Sequence, residues 1–166
     1  WWAEMEHEYF GWIEIEDGRL SWGETLESGD QPVEVRLAGP AKVSEEALEL
    51  AASVVRGLES LDANLREVFV GEVATDGSGT VRFLDAHLDE LVRFRPQLLG
   101  QDSGDIAIDV IRSLQLLSVT VLPASTHEDD PFVVAAYALD PDEAELALVV
   151  RLDATLQPLG TEVEAL

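Results

Sequence analysis

The chain has 166 residues, of which 34 are acidic and 10 are basic, so its formal net charge is -24 at pH 7. It is nevertheless 46% hydrophobic. Disordered acidic chains are poor in aliphatic residues, so this composition excludes disorder. The length is sufficient for a sizeable core and predicts a single domain over residues 1–166.

The composition also limits the chemistry and the location of the protein. The chain has no cysteine, which excludes a disulfide framework, a thiolate nucleophile and an iron–sulfur cluster. No apolar run reaches the roughly 18 residues of a membrane span, and no signal peptide pattern is present, so we expect a cytoplasmic protein. Met5 is the only methionine. We therefore interpret residues 1–4 as an added remnant before a natural start at Met5 and expect no function for them.

The negative charge is concentrated at the two ends of the chain. Residues 1–39 hold ten acids and two bases, and residues 101–166 hold thirteen and two. Such a surface repels phosphate backbones and anionic lipids, so we expect neither nucleic-acid nor membrane binding. It attracts a basic protein partner. General solubility or a salt-adapted host explains the same charge, and the oligomeric state stays open.

Strands are predicted at both ends of the chain, with helices between them. Alternation of apolar and polar residues, interrupted by turns such as Asp17-Gly18, predicts a three-stranded meander over residues 9–37. Apolar residues at helical spacing follow Ser44, a suitable N-cap, and predict a helix to about residue 60. Further helices are predicted around residues 65–69, over 80–94 and from Asp102 or Ser103 to 117. Strands are predicted over 118–122, 132–139, 145–153 and 161–165.

This order of elements predicts an α+β fold. Segregated blocks of strands and helices favour a mainly antiparallel sheet, built from the N-terminal and C-terminal strands and covered on one face by about four helices.

No motif for catalysis or cofactor binding is present, so we expect a non-enzymatic protein without a cofactor. The three histidines lie far apart in the sequence, and His87 is expected on a helix surface. An alternative is a divalent-metal site or a metal-dependent hydrolase. If residues 132–139 and 146–152 form an antiparallel hairpin, Asp153 returns beside Asp129 and Asp130, with His127 as a further ligand for a transition metal. A solvated acidic turn explains the same residues.

Aromatic residues near the N-terminus form a second candidate site. If Ile13 and Ile15 face the core, strict alternation places Phe10, Trp12, Glu14 and Glu16 on the other face, and Trp22 joins them from the next strand. Aromatic residues rimmed by carboxylates are typical of a protein-binding surface. A sheet covered on both faces, or a bulge at Gly11 that reverses the alternation, is the competing interpretation.

Several strand segments resemble a known bacterial family. They are FGWIEI at residues 10–15, the hairpin around Trp22, YALD at 137–140 and LALVVRLD at 146–153, which look like the family called domain of unknown function two-thousand-four. The resemblance covers both ends of the chain and implies no established activity and no catalytic residues. In size and charge the chain also resembles immunity proteins, which neutralise basic bacterial toxins. We therefore expect an acidic protein-binding module, with the metal-binding domain as the alternative.

Overall fold

The structure, a computed structural model, describes residues 2–29, 31–87, 105–127 and 129–166. In these residues eight strands form one sheet and four helices accompany it. The strands are β1 (Trp2–His7), β2 (Gly11–Glu16), β3 (Arg19–Ser28), β4 (Gln31–Leu37), β5 (Gln115–Val121), β6 (Val133–Ala138), β7 (Leu146–Leu152) and β8 (Pro158–Ala165). The helices are α1 (Glu45–Arg56), α2 (Leu58–Glu72), α3 (Gly79–Ala86) and α4 (Ile106–Ser113). The predicted α+β class is confirmed.

The strands lie in the sheet in the same order as in the chain. Every neighbouring pair is antiparallel except β4 and β5, which are parallel with Val35 opposite Val119. Parallel neighbours require a crossover connection, and all four helices lie in the connection between β4 and β5. The two strand blocks therefore meet at this parallel pair.

The hydrophobic core lies between one face of the sheet and the helices. In β4, Val33, Val35 and Leu37 are buried, whereas Glu34 and Arg36 between them are exposed. Most of the buried strand residues and most of the buried helix residues belong to one hydrophobic cluster. The alternation in β4 therefore distinguishes a core face from an outer face of the sheet.

The first helix begins where the sequence predicts and ends earlier. The Ser44 hydroxyl accepts a hydrogen bond from the amide of Ala47 at 3.0 Å, as an N-cap does. The prediction of one continuous helix to residue 60 is wrong, because the helix is interrupted at Gly57, between α1 and α2. Gly57 lacks helical backbone angles (φ -96°, ψ 31°) and serves as the C-cap of α1 and the N-cap of α2.

The described N-terminal residues form a strand that the sequence analysis did not predict. β1 pairs antiparallel with β2, with Glu4 opposite Glu14 and Met5 opposite Ile13. Residues 2–4, interpreted above as a remnant, are therefore part of the sheet. The alternation in β1 extends over too few residues to predict a strand from the sequence. The strand forms because its backbone pairs with β2.

Parts of two predicted helices lie outside the described residues. α3 occupies Gly79–Ala86 of the helix predicted over 80–94, and residues 88–94 are not described. The predicted N-cap positions Asp102 and Ser103 are not described either. The N-cap of α4 is Asp105, whose Oδ1 accepts hydrogen bonds from the amides of Ala107 and Ile108.

The edge strand β8 is fixed to the helical layer at a close contact with α3. A Cβ on Gly79 would lie 2.4 Å from the carbonyl carbon of Thr161, so only glycine fits there. Beside this contact, Glu72 Oε1 accepts hydrogen bonds from the hydroxyls of Thr80 at 2.8 Å and Thr161 at 2.5 Å. These hydrogen bonds tie the end of α2 to both α3 and β8.

Candidate functional site

The outer face of β1 and β2 carries an exposed tryptophan among four carboxylates. Glu14 and Glu16 of β2 are exposed, as are Glu4 and Glu6 of β1. Glu4 lies opposite Glu14, and Glu6 lies opposite Trp12. The exposed fraction of Trp12 is 61%, whereas the two isoleucines of β2 are buried on the core side. We call the surface formed by these five residues the acidic face.

The carboxylates of the acidic face are close to one another. Side chains directly opposite in an antiparallel pair have Cβ atoms about 5 Å apart, and this applies to Glu4 and Glu14. Within the described chain, neither residue forms an ion pair, and the same is true of Glu6 and Glu16. Like charges directly opposite destabilise a sheet by up to about 1 kcal/mol. Cationic groups bound at this face would relieve that repulsion.

Two of the five predicted binding residues lie on the other side of the sheet, which corrects the prediction of a shared face. Phe10 is buried and packs edge-to-face on Trp22, with ring centroids 4.8 Å apart. Trp22 is half-buried, contacts the core, and its Nε1 donates a hydrogen bond to the Phe10 carbonyl at 2.9 Å. Phe10 ends the turn before β2, and the positive φ of +70° at Gly11 breaks the alternation between Phe10 and Trp12. Trp22 follows Ser21, which lies opposite the outward-facing Glu14, so its side chain faces the core side.

The turn between β1 and β2 is fixed to α1 by a buried histidine. His7 Nδ1 accepts from the amides of Tyr9 at 3.1 Å and Phe10 at 3.4 Å, so its proton is on Nε2, which donates to Glu49 of α1 at 2.8 Å. The Arg56 guanidinium lies 4.6 Å from the centre of the Tyr9 ring, a cation–π distance. The hairpin that carries the acidic face is therefore held in a fixed position.

His87 is also buried, which contradicts its expected position on a helix surface. Its Nδ1 lies 2.9 Å from the Phe83 carbonyl, and the two rings pack with centroids 4.3 Å apart. His87 is the C-cap of α3 and follows the buried Phe83 by four residues, so both side chains lie on the buried side of the helix.

The alternative metal site is not assembled. β6 and β7 form the expected antiparallel hairpin, with Val133 opposite Leu152. His127, Asp129 and Asp130 are exposed, however, and no group of three metal-ligating side chains occurs in the described ranges. The predicted cluster of these three residues with Asp153 is therefore wrong.

Asp153 is instead engaged in its own turn. Its Oδ1 accepts hydrogen bonds from the hydroxyl of Thr155 at 2.6 Å, the amide of Thr155 at 2.9 Å and the amide of Gln157 at 3.0 Å. These hydrogen bonds, first that from the Thr155 hydroxyl, lower the pKa of Asp153 below its ordinary value. The carboxylate is therefore a structural acceptor that closes the turn before β8.

A polar cluster that the sequence did not predict joins α2, α4 and β6. The hydroxyl of Tyr137, whose ring is fully buried, donates to Asp62 Oδ1 at 2.6 Å. The Nε of Arg66 lies 3.2 Å from the same oxygen, and its Nη1 donates to the Ile111 carbonyl at 2.8 Å. Burial, and then the hydrogen bond to the Asp62 carboxylate, raise the pKa of Tyr137 far above its ordinary value. Tyr137 therefore stays a neutral donor.

This cluster borders a cavity of about 290 Å³ at the end of the β3–β4 hairpin. Asp62 and Arg66 line it together with the polar residues Ser28, Gln31 and Gln115. The only signal in the sequence was the four-residue spacing of Asp62 and Arg66, which predicts an ion pair on a helix but no cavity.

None of the helices in the described ranges has the length and apolar character needed to cross a membrane. Comparison of the chain with protein-family models, with curated proteins and with solved structures finds no match.

Proposed function

We propose that the chain is a non-enzymatic binding module that holds a basic protein partner on the acidic face. The observation that carries the proposal is Trp12, which is 61% exposed and lies among four carboxylates without ion pairs in the described chain. A tryptophan in this position can anchor an interface, and the surrounding carboxylates can steer a cationic surface towards it.

The rigid support behind the acidic face favours binding. Phe10 and Trp22 pack against each other on the core side, and His7 fixes the turn to α1. A surface that is already ordered loses little conformational entropy when a partner binds. Little of the binding energy of Trp12 is therefore needed to offset the ordering of the surface, and the rest contributes to affinity.

The chemistry of the face defines the class of partner. Arginine and lysine side chains neutralise Glu4 and Glu14, and arginine also stacks on an exposed tryptophan. The net charge of -24 repels acidic competitors from the whole surface. A basic toxin bound by an immunity protein is one partner of this class.

A defined cationic probe tests the proposal. We expect a labelled peptide of alternating arginine and threonine, about 12 residues long, to bind with an affinity that falls as salt is added. Trp12→Ala should weaken binding by about tenfold, since an interface anchor contributes more than about 1 kcal/mol. The free energy of unfolding should change by less than about 0.5 kcal/mol, because the side chain is exposed.

A charge-matched control separates the acidic face from the overall charge. Glu6→Gln with Glu14→Gln removes two charges from the face, and Glu59→Gln with Glu67→Gln removes two exposed charges from α2. We expect only the first pair to weaken binding strongly. Equal losses for both pairs, or unchanged binding by Trp12→Ala, would show that the peptide responds to net charge and would refute the proposal.

A further inference from the structure

The ion pair in the cavity beside α2 is held more firmly than an ordinary surface pair. Asp62 is fixed by the Tyr137 hydroxyl at 2.6 Å, and Arg66 is fixed by the Ile111 carbonyl at 2.8 Å. The Arg66 guanidinium also lies 5.4 Å from the centre of the Tyr137 ring. Both charged side chains keep about a quarter of their surface exposed, with fractions of 23% and 27%. The pair is therefore preorganised and still accessible from the cavity.

Both members of the pair have unused hydrogen-bonding capacity. Arg66 donates from Nε to Asp62 and from Nη1 to Ile111, which leaves Nη2 without a hydrogen bond to any described residue. Asp62 Oδ2 accepts only the long hydrogen bond of 3.3 Å from Arg66 Nε within the described chain. A ligand can therefore donate to Asp62 and accept from Arg66 at the same time.

The ion pair favours a ligand that carries one charge of each sign. The opposite charges of Asp62 and Arg66 cancel, so the pair itself does not attract a simple anion or cation. The net charge of -24 on the chain adds a repulsion for anions. A zwitterion aligns its own two charges antiparallel to those of the ion pair and avoids that repulsion.

The remaining lining of the cavity fits a small aliphatic group. Val33, Leu114 and Leu116 are buried core residues that form its apolar side. The volume of about 290 Å³ lies just below the range of sites for drug-sized ligands, so the occupant is smaller than those. Burial of an aliphatic side chain against these residues contributes the hydrophobic part of the affinity.

We infer that this cavity binds a free aliphatic α-amino acid, with its ammonium group on Asp62, its carboxylate on Arg66 and its side chain against Val33, Leu114 and Leu116. The single carbon between the two charged groups of an α-amino acid keeps them as close together as the charges of the ion pair. This site uses residues different from those of the acidic face and is independent of it.

Calorimetric titration with leucine and two analogues tests the inference. Leucinamide keeps the ammonium group and lacks the carboxylate, and 4-methylpentanoate keeps the carboxylate and lacks the ammonium group. We expect each analogue to bind at least about tenfold more weakly than leucine. Leucinamide is the stringent comparison, because a positively charged molecule is attracted to the acidic chain. Binding of leucinamide as tight as that of leucine, or no binding of leucine, would overturn the inference.

Two variants and a matched control locate the binding. Arg66→Gln removes the group that would bind the ligand carboxylate. Ser28→Phe enlarges a side chain that lines the cavity and makes none of the hydrogen bonds of the ion pair. We expect both to weaken leucine binding by at least about tenfold. Arg36→Gln makes the same charge change in a half-exposed ion pair with Glu34 on the outer face of the sheet, and it should bind leucine like the wild type. Equal binding by Ser28→Phe and Arg36→Gln would contradict the assignment to the cavity.

Discussion

The replacement of Tyr137 by phenylalanine removes one buried hydroxyl and leaves the ring in place. The ring keeps its edge-to-face contact with Phe69, at 5.1 Å between centroids. The lost hydrogen bond to a carboxylate contributes about 1.5–3 kcal/mol. Asp62 keeps its contact with Arg66 and is 23% exposed to water, so we expect the lower end. Tyr137→Phe should reduce the free energy of unfolding by about 1.5 kcal/mol at neutral pH.

The same substitution should change the response to alkaline pH. Burial raises the pKa of Tyr137 in the folded protein, whereas the ordinary value is 10.0. The neutral phenol therefore contributes its full stability below about pH 10, and this contribution falls by about 1.4 kcal/mol for each pH unit above it. Phenylalanine does not ionise. The stability curves of the two proteins should converge above pH 10 and cross near about pH 11.

Urea denaturation followed by circular dichroism, at several values between about pH 8 and pH 11.5, measures both curves. Other groups that titrate in this range are shared by the two proteins and cancel in the difference. Tyr9→Phe is the control, because it removes the hydroxyl of the other tyrosine, which lies at the surface. Tyr9→Phe should lose stability as the pH rises in the same way as the wild type, because it keeps Tyr137. Parallel curves for wild type and Tyr137→Phe throughout this range would refute the reasoning.

Three further substitutions test the fold, and two of them have a comparison variant. Gly79→Ala should lower the free energy of unfolding by about 2 kcal/mol or more, because the new methyl group meets the backbone of β8. At Gly71 in α2 nothing lies within 4 Å of an added Cβ. Gly71→Ala should therefore raise the free energy of unfolding by up to about 1 kcal/mol in the same denaturation assay. Asp153→Asn should reduce the loss of stability on acidification. The lowered pKa of Asp153 makes its contribution to stability full above pH 3.8, and this contribution is lost progressively as the pH falls from 3.8 through the pKa of the folded state. Acid titration of both proteins measures the difference. His7→Ala should destabilise by about 1–3 kcal/mol, because the buried Phe10 amide loses its acceptor. Glu49→Gln keeps an acceptor for His7 Nε2 and should change thermal stability less.

The local pattern of the sequence determined the class of the fold and much of the acidic face. Alternation in β2 placed Ile13 and Ile15 in the core and Trp12 outside, as the structure shows. The small polar side chain of Ser44, followed by acidic residues, determined the start of α1. These features depend on neighbouring residues within one element, and the periods of strands and helices express them directly.

Tertiary structure decided the contacts between elements that lie far apart in the chain. Tyr137 meets Asp62 across 75 positions, and the apolar pattern of β6 contains no sign of that partner. Phe10 lies on the core side because one positive φ at Gly11 breaks the alternation. The expected hairpin of β6 and β7 forms, but the Asp153 carboxylate that follows it is used within its own turn. A strand or helix pattern specifies which face of an element is buried, whereas backbone reversals and the crossover from β4 to β5 decide which buried faces meet.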